Sequence, residues 1–349
     1  MPRQKTSIQN LSELETALSE PTEATIRTLA ALGGDLLILG VGGKMGPTLA
    51  RMAKRATDAA GTKRRIIGVS RFSAEAELCP LERQLQSSGI ETIRCDLLNR
   101  QSLQKLPDAS LIVYMAGMKF GSTGQESLTW AMNSYLPGLV CERYPASRIA
   151  AFSTGNIYGL TPVTGSGSKE SDLPNPVGEY ATSCLGRERI FEHFSRANRT
   201  PVSIIRLNYS TELRYGVLVD IATRVHTGQP VSLSMGYLNA IWQRDANAMS
   251  LETLAHASHP PFVINIAGPE LLSVRKIAEQ FSERFGKPVR FSGSEAEDAL
   301  LSDSAKSRSL FGEPTVSVDQ MLDWIADWVA RGGESLSKPT HFEERSGRF

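Results

Sequence analysis

Apolar residues along this chain gather into short dense runs separated by stretches of helical spacing. The run Leu36-Leu37-Ile38-Leu39, resumed by Val41 after Gly40, predicts a buried strand that breaks into glycines and continues into PTLARMAKRA, which is helical in period. Five further runs follow: Arg64 to Ser70 (RRIIGVS), Ile90 to Leu98 (IETIRCDLL), Ser110 to Gly117 (SLIVYMAG), Arg148 to Gly155 (RIAAFSTG) and Val202 to Tyr209 (VSIIRLNY). Helical periodicity resumes from Ser102, around Leu128 to Cys141 and over Gly178 to Phe194. Strand alternating with helix this regularly predicts an α/β fold, a Rossmann-like doubly wound parallel sheet whose ligands sit at the carboxyl ends of its strands.

The same pattern divides the chain. Residues 1–34 form a helical extension, with Leu11, Leu14 and Leu18 on one face, a break at Pro21 and a second helix from Glu23 to Leu32. Residues 35–209, with 240–267 returning to them, form the nucleotide-binding domain. A smaller C-terminal α/β lobe combines 210–239 and 268–331; in it Ser273 caps a helix over Val274 to Phe285 that Gly286 and Pro288 stop. Trp324 and Trp328 join Val318, Met321, Leu322, Ile325 and Val329 at helical spacing, which reads as core. The tail, 332–349, is polar and glycine-led, an extended arm or a disordered end, with Phe342 and Phe349 able to dock.

Composition narrows the partners. A net charge of +1 over 349 residues gives no electrostatic case for nucleic acid or an anionic membrane. Cys79, Cys95, Cys141 and Cys184 are scattered, and the five histidines have no metal-ligand spacing, so no metal is expected. The first residues lack an apolar signal core and no apolar run is long enough to span a membrane, so a soluble cytoplasmic protein is expected.

The chemistry begins at the glycines. Gly40 allows the sharp turn off the strand, Gly42 and Gly43 let backbone N–H groups approach a pyrophosphate, and Gly46 lets the helix pack close to the strand. With Lys44 and Met45 between them, these residues are the candidate phosphate cradle at a helix N-terminus. The second run ends in Ser70-Arg71, where an acidic residue would bind the ribose 2′-hydroxyl of NAD. A guanidinium there suits a 2′-phosphate instead, so NADP is expected over NAD, with Lys44 assisting; the alternative for Arg71 is a solvated surface charge. Asp96 is placed to accept from the adenine amino group, Leu97 to cover the ring, and Met115-Ala116-Gly117 to pass beneath the cofactor.

The order that follows resembles the extended short-chain dehydrogenase/reductase superfamily, in particular its NAD-dependent epimerase/dehydratase family, over roughly Gly34 to Arg331. By that resemblance Gly40, Gly43 and Gly46 match the glycine motif and Met115, Ala116 and Gly117 the end of strand four. Lys119 looks like the lysine that reaches the cofactor in UDP-galactose 4-epimerases. Asn133 matches the helix asparagine that fixes a water or backbone relay, Thr154 the active-site Ser/Thr, and Tyr180 the tyrosine of Tyr-x-x-x-Lys. Asn208 resembles a cofactor-binding asparagine, though it follows Arg206 one residue early, and Asp245 a returning aspartate. Arg214 and Tyr215 fall in the segment that faces substrate. A homodimer through the Asn133 and Tyr180 helices is also implied.

One departure matters. Four residues after Tyr180 stands Cys184 where the family has lysine. A free tyrosine has a pKa of about 10, so roughly one phenol in a thousand is ionised at pH 7; a neighbouring ammonium lowers that value, and a thiol cannot. Three readings stay open: another cation, Arg187 or Lys119, substitutes; the reaction uses a neutral tyrosine as acid, as in carbonyl reduction; or catalysis has been lost. Restoring lysine at 184 should then speed an impaired enzyme. Dehydratases carry an Asp-Glu pair after the threonine; Gly155 and Asn156 stand here and transfer no protons, so a dehydratase is disfavoured. The expected activity is hydride transfer at a hydroxyl-bearing carbon of a sugar, sugar acid or nucleotide sugar, by an NAD(P)-dependent oxidoreductase or epimerase with Tyr180, Thr154 and Asn133 at its centre. The alternative is a catalytically silent dinucleotide-binding sensor or scaffold.

Overall fold

The computed structural model describes residues 7–72, 79–119, 121 and 123–348. Seven strands, β1 (Leu36–Leu39), β2 (Ile66–Ser70), β3 (Glu91–Arg94), β4 (Leu111–Tyr114), β5 (Arg148–Thr154), β6 (Val202–Leu207) and β7 (Phe262–Ile266), form one sheet. Their order is β7-β6-β5-β4-β1-β2-β3, and every pairing is parallel. The strand order reverses at β1, whose neighbours are β2 and β4, so the crevice at their carboxyl ends is the place such a sheet offers a ligand.

Both faces of the central strands are covered, which is why β1, β2 and β4 read as continuous apolar runs, while the edge strand β3 is partly exposed. Leu36 and Ile38 pack beneath helices α3 (Gly46–Ala59) and α6 (Gln243–His256), with Leu49, Met52 and Leu251. Leu37 and Leu39 face the other side, with Ile112, Leu139, Val140 and Phe191, the last on the long helix α4 (Gly178–Asn198). The strands are shorter than the apolar runs. β2 starts at Ile66 because Arg64 and Arg65 turn outward, Arg64 donating to Gly34 O and Arg65 pairing with Asp35.

The N-terminal extension forms α1 (Leu11–Leu18) and α2 (Glu23–Ala31), capped by the side chains of Asn10 and Thr22. Leu14 and Leu18 enter the core of the smaller lobe, and Leu29 that of the sheet. Thr22 and Thr25 both donate to Glu252 on α6, at 2.8 and 2.7 Å. The smaller lobe is built on α5 (Val217–His226), α7 (Val274–Phe285) and α8 (Val318–Ala330). Ser273 caps α7 and Gly286, left-handed at φ 61°, ends it; Trp324 and Trp328 are buried in the lobe core.

Of the two fates open to the tail, the packed arm is the one observed through residue 348. Phe342 is 2% exposed and sits in the lobe core; Phe349 lies outside the described residues. Among the described residues, no helix is long and apolar enough to cross a membrane.

Candidate functional site

The glycine turn is shaped by what surrounds it. Gly40 has φ +91°, and a side chain there would meet Ala116 N at 2.7 Å, so β1 and the end of β4 approach through it. A side chain at Gly46 would run into the Val41 carbonyl carbon at 2.7 Å, so α3 starts against the strand only because that position is bare. A side chain at Gly42 would meet the Ser70 hydroxyl at 2.6 Å, so the loop sits close to the end of β2 there. Gly43 donates from its N–H to the Gly40 oxygen at 3.1 Å, a side chain there would stand in ordinary contact with that oxygen, and the residue lines the cavity. Met45 precedes α3 without a capping side chain, and Pro47 occupies the first turn.

Beyond the loop lies a cavity of about 350 Å³ that Gly40, Gly43, Met115, Gly117, Lys119, Thr154, Tyr180 and Asn208 help to line. The structure therefore brings residues from the ends of β1, β4, β5 and β6 and from the start of α4 to one place. Tyr180 shares a hydrogen bond with the Thr154 hydroxyl and another with the Cys184 thiol. Burial pushes the phenol well above its ordinary value; the Cys184 thiol adds to this, and Arg187 and Thr154 pull against it. Thr154 also donates to Asn156 Oδ1 at 2.9 Å and accepts from Asn156 N at 3.2 Å, as the cap of the 3₁₀ turn Gly155–Tyr158.

Two cations lie near Tyr180 and Cys184. Lys119 Nζ lies 5.6 Å from the Tyr180 ring centroid, and burial lowers its pKa to about 8. Arg187, one turn beyond Cys184 on α4, is buried and donates to Phe152 O at 2.8 Å and to Asn133 Oδ1 at 2.6 Å. Gly117 makes room for it: a side chain there would collide with the guanidinium and stand 2.9 Å from Asn133 Oδ1.

Asn133 sits in a wide π turn, Ala131–Tyr135, between the helical segments Glu126–Trp130 and Leu136–Arg143. Its amide donates to Met118 O and Ser183 Oγ, both at 2.9 Å, and its oxygen accepts from Met118 N and Arg187. All four positions are used, so of a water or a backbone relay it is the backbone that Asn133 holds, the loop leading to Lys119. Asn208 is likewise committed, donating to Leu300 O at 3.2 Å and tying the end of β6 to the lobe.

The other expected residues divide between the cavity and its surroundings. Lys44, expected to assist at the ribose end of β2, instead lies over the Tyr215 ring at 3.3 Å on the lobe side of the cavity. Burial, with Lys119 and Lys338 nearby, lowers its pKa to about 7. Arg71 is exposed just past the end of β2, and Asp96 is exposed with its carboxylate accepting from Leu98 N at 3.1 Å. Leu97 is buried in the core rather than open on the crevice. Arg214 is not at the cavity: it pairs with Glu212 and Glu15 and fastens α1 to the lobe, whereas Tyr215 does line the cavity. Asp245 accepts from Thr315 N and Oγ1, tying α6 to the segment before α8.

A buried network under the site had no sequence signal beyond its polar letters. Glu188 accepts from Ser153 at 2.5 Å and pairs with Arg206 at 2.8 Å. Arg206 also donates to the Tyr158 hydroxyl at 2.7 Å, which donates to Asn265 at 2.8 Å. Among the described residues, no group of His, Cys, Asp or Glu could hold a metal.

No protein-family model and no curated relative matches the chain. Solved structures do match in fold. A UDP-glucuronic acid 4-epimerase from Bacillus cereus in complex with NAD is 18% identical at a TM-score of 0.69, over 86% of this chain and 99% of that one. A UDP-glucose 4-epimerase with UDP-glucose from Thermotoga maritima is 17% identical at 0.68, over 85% and 99%. A dTDP-glucose 4,6-dehydratase from Bacillus anthracis with NAD is 17% identical at 0.71, over 86% and 97%. The chain thus has the Rossmann-like architecture of these sugar-nucleotide enzymes.

Proposed function

We propose that the protein is a nicotinamide-dinucleotide-dependent oxidoreductase or epimerase acting at a hydroxyl-bearing carbon of a sugar-like compound. The observation that carries this is the convergence of the Tyr180 and Thr154 hydroxyls and the Lys119 ammonium on one cavity that opens onto the glycine turn. The neighbours in fold include NAD complexes of sugar-nucleotide enzymes, which supports the same class.

The cradle fits a dinucleotide. Gly43 leaves the loop backbone open, no side chain caps α3, and the Lys44 and Lys119 ammoniums border the cavity, as an anionic pyrophosphate would require. Arg71, exposed beside Ser70, is the candidate partner of a 2′-phosphate, so we assign a preference for NADP over NAD. The cofactor would supply or accept the hydride.

The residues of the chain do the rest. Tyr180, whose phenol is held neutral by burial, donates its proton to the substrate oxygen during carbonyl reduction, for which a protonated resting state is the required one. Thr154 orients that oxygen through its bond to Tyr180. Lys119 and Arg187 stabilise the phenolate left behind, and Asn133 keeps Arg187 and the Lys119 loop in place. Gly155 and Asn156, next to Thr154, offer no proton donor for dehydration. Leu128, Trp130, Tyr135 and Val177 are exposed apolar residues around the Asn133 and Tyr180 helices, and we assign this face to a homodimer, to be tested by sedimentation. The four cysteines are free, which suits a reducing cytoplasm.

The test is a fluorescence titration of the purified protein with NADPH and NADH, in wild type and Arg71→Ala, followed by turnover in Tyr180→Phe. Tighter NADPH binding that Arg71→Ala erases supports the cofactor assignment. Loss of turnover with retained binding in Tyr180→Phe supports the proton donor, and absence of binding by either nucleotide refutes the reading.

A further inference from the structure

Facing Tyr180 across the cavity is the C-terminal tail, and it is fastened from end to end. Thr340 donates to the Asp220 carboxylate from both its N–H and its hydroxyl, at 2.7 and 2.5 Å. Phe342 is buried in the lobe core. Glu343 pairs with Arg224 at 2.5 Å and accepts through its carbonyl from Ser234 at 3.1 Å. Arg345 donates to the Ser234 and Asp298 carbonyls, each at 3.1 Å, and pairs with the Asp298 carboxylate. Gly347 lies against Gly178 and Val177 at the start of α4, the helix that carries Tyr180.

This arm crosses the cleft between the carboxyl ends of the strands and the smaller lobe. Thr340 lines the 350 Å³ cavity itself. On the far side of Lys119 and Asn156, among Leu160, His341, Phe342 and Arg345, the space left is about 30 Å³, room for about two waters. Ligand pockets for drug-sized molecules run from about 300 to 1,000 Å³, so the open cavity, at about 350 Å³, stands at the lower end of that range and must hold both the reactive end of a cofactor and the substrate. The Bacillus cereus enzyme is matched over 99% of its length by 86% of this chain, so this chain carries segments which that neighbour lacks.

We infer that residues 338–347 are a fixed wall of the substrate site, closing the room a nucleotide moiety would need and restricting the substrate to an unactivated sugar or sugar acid. The inference rests on the functional reading above and narrows it. A wall explains why the segment is held by a buried aromatic, two ion pairs and a doubly bonded carboxylate rather than by a single detachable contact. Lys119, at the junction of the two cavities, is then the cation within reach of a carboxylate on the substrate.

The full-length protein tests this. After dinucleotide binding is established by titration, hydride transfer is assayed with a panel of free aldoses, ketoses and aldonic acids, and with UDP-glucose and UDP-glucuronic acid. Binding of UDP and UDP-glucose is measured by calorimetry, and amide exchange of Thr340 is followed throughout. Turnover of members of the free series, no binding of UDP or UDP-glucose at millimolar concentration, and a protected Thr340 amide support the wall. Binding or turnover of a UDP-sugar overturns it, and loss of Thr340 protection would then show the arm to be a displaceable lid. Dinucleotide binding without turnover of either series overturns it as well, since the residual space is then not a substrate site. Failure of the dinucleotide to bind is a different result, which removes the functional reading itself.

Discussion

The sequence suggests that lysine at position 184 would repair the Tyr-x-x-x-Lys pattern; the structure reverses the expectation. Cys184 is 0% exposed, enclosed by Ile157, Tyr158, Tyr180 and Leu185. Arg187 and Lys119 already place positive charge around it. A lysine introduced there must enter a filled site, and overpacking of that kind costs about 1–3 kcal/mol. Its ammonium would also be a third buried cation. Burial depresses lysine by roughly 3–5 pKa units, and at about 1.4 kcal/mol per unit, holding the charge would cost about 4–7 kcal/mol. With its pKa brought down to about 5–7, the side chain is largely neutral at pH 8 and above and there cannot lower the pKa of Tyr180. Between its depressed folded value and about 10.4 the unfolded chain binds the extra proton, so stability relative to wild type falls as pH drops and recovers as pH rises toward 10. The assay is urea unfolding of wild type and Cys184→Lys at pH 7, 8 and 9, with tyrosinate absorbance and turnover alongside. A variant as stable as wild type at pH 7, with an ionised Tyr180 and faster turnover, would refute the reasoning.

Three further outcomes are expected. Gly46→Ala pushes a methyl into the Val41 carbonyl, which is backbone and cannot rotate away, so it should destabilise by about 3 kcal/mol and abolish dinucleotide binding in the same titration. Glu188→Ala leaves Arg206 buried without its carboxylate and should cost about 3–5 kcal/mol in urea unfolding; wild-type stability would mean the pair is dispensable. Because Lys119 and Lys44 titrate near 8 and 7, dinucleotide affinity should rise as pH falls from 9 to 6 and both gain their protons. Lys44→Met should remove the lower part of that rise, and a flat profile in the wild type would take both ammoniums away from the phosphates.

What was legible in the chain is what local pattern encodes. Strands buried on both faces announce themselves as apolar runs, and the glycine at 46 is required by the close approach of Val41 just before it. The same holds for Ser273 and Gly286, whose caps are short-range. Tyr180 and Thr154 were singled out by resemblance to a family, and the structure brings their hydroxyls into one hydrogen bond. The direction of Lys44 was not readable, because the course of a long side chain is set by what lies above it, here Tyr215, 171 positions later in the chain. The Ser153, Glu188, Arg206, Tyr158 and Asn265 network is spread over five positions with no common period, and only the sheet register of β5, β6 and β7 assembles it.

The tail shows what composition leaves undecided, since it allowed either an extended arm that docks or a disordered end. GGESLSKPTHFEERSGRF has too few apolar residues to form a core of its own. It does not need one: a single aromatic, Phe342, enters a core already built by α5, α7 and α8, and each polar anchor meets a partner the lobe supplies, Asp220 for Thr340, Arg224 for Glu343, Asp298 for Arg345. Low hydrophobicity excludes autonomous folding, not docking, and the two are separated only by whether the rest of the molecule offers a groove. Here that groove is the far side of the site that Tyr180 faces. The residues the sequence assigned to chemistry and those it set aside as an end therefore enclose one space, and the size of that space, rather than the motif around Tyr180, determines which substrates can reach it.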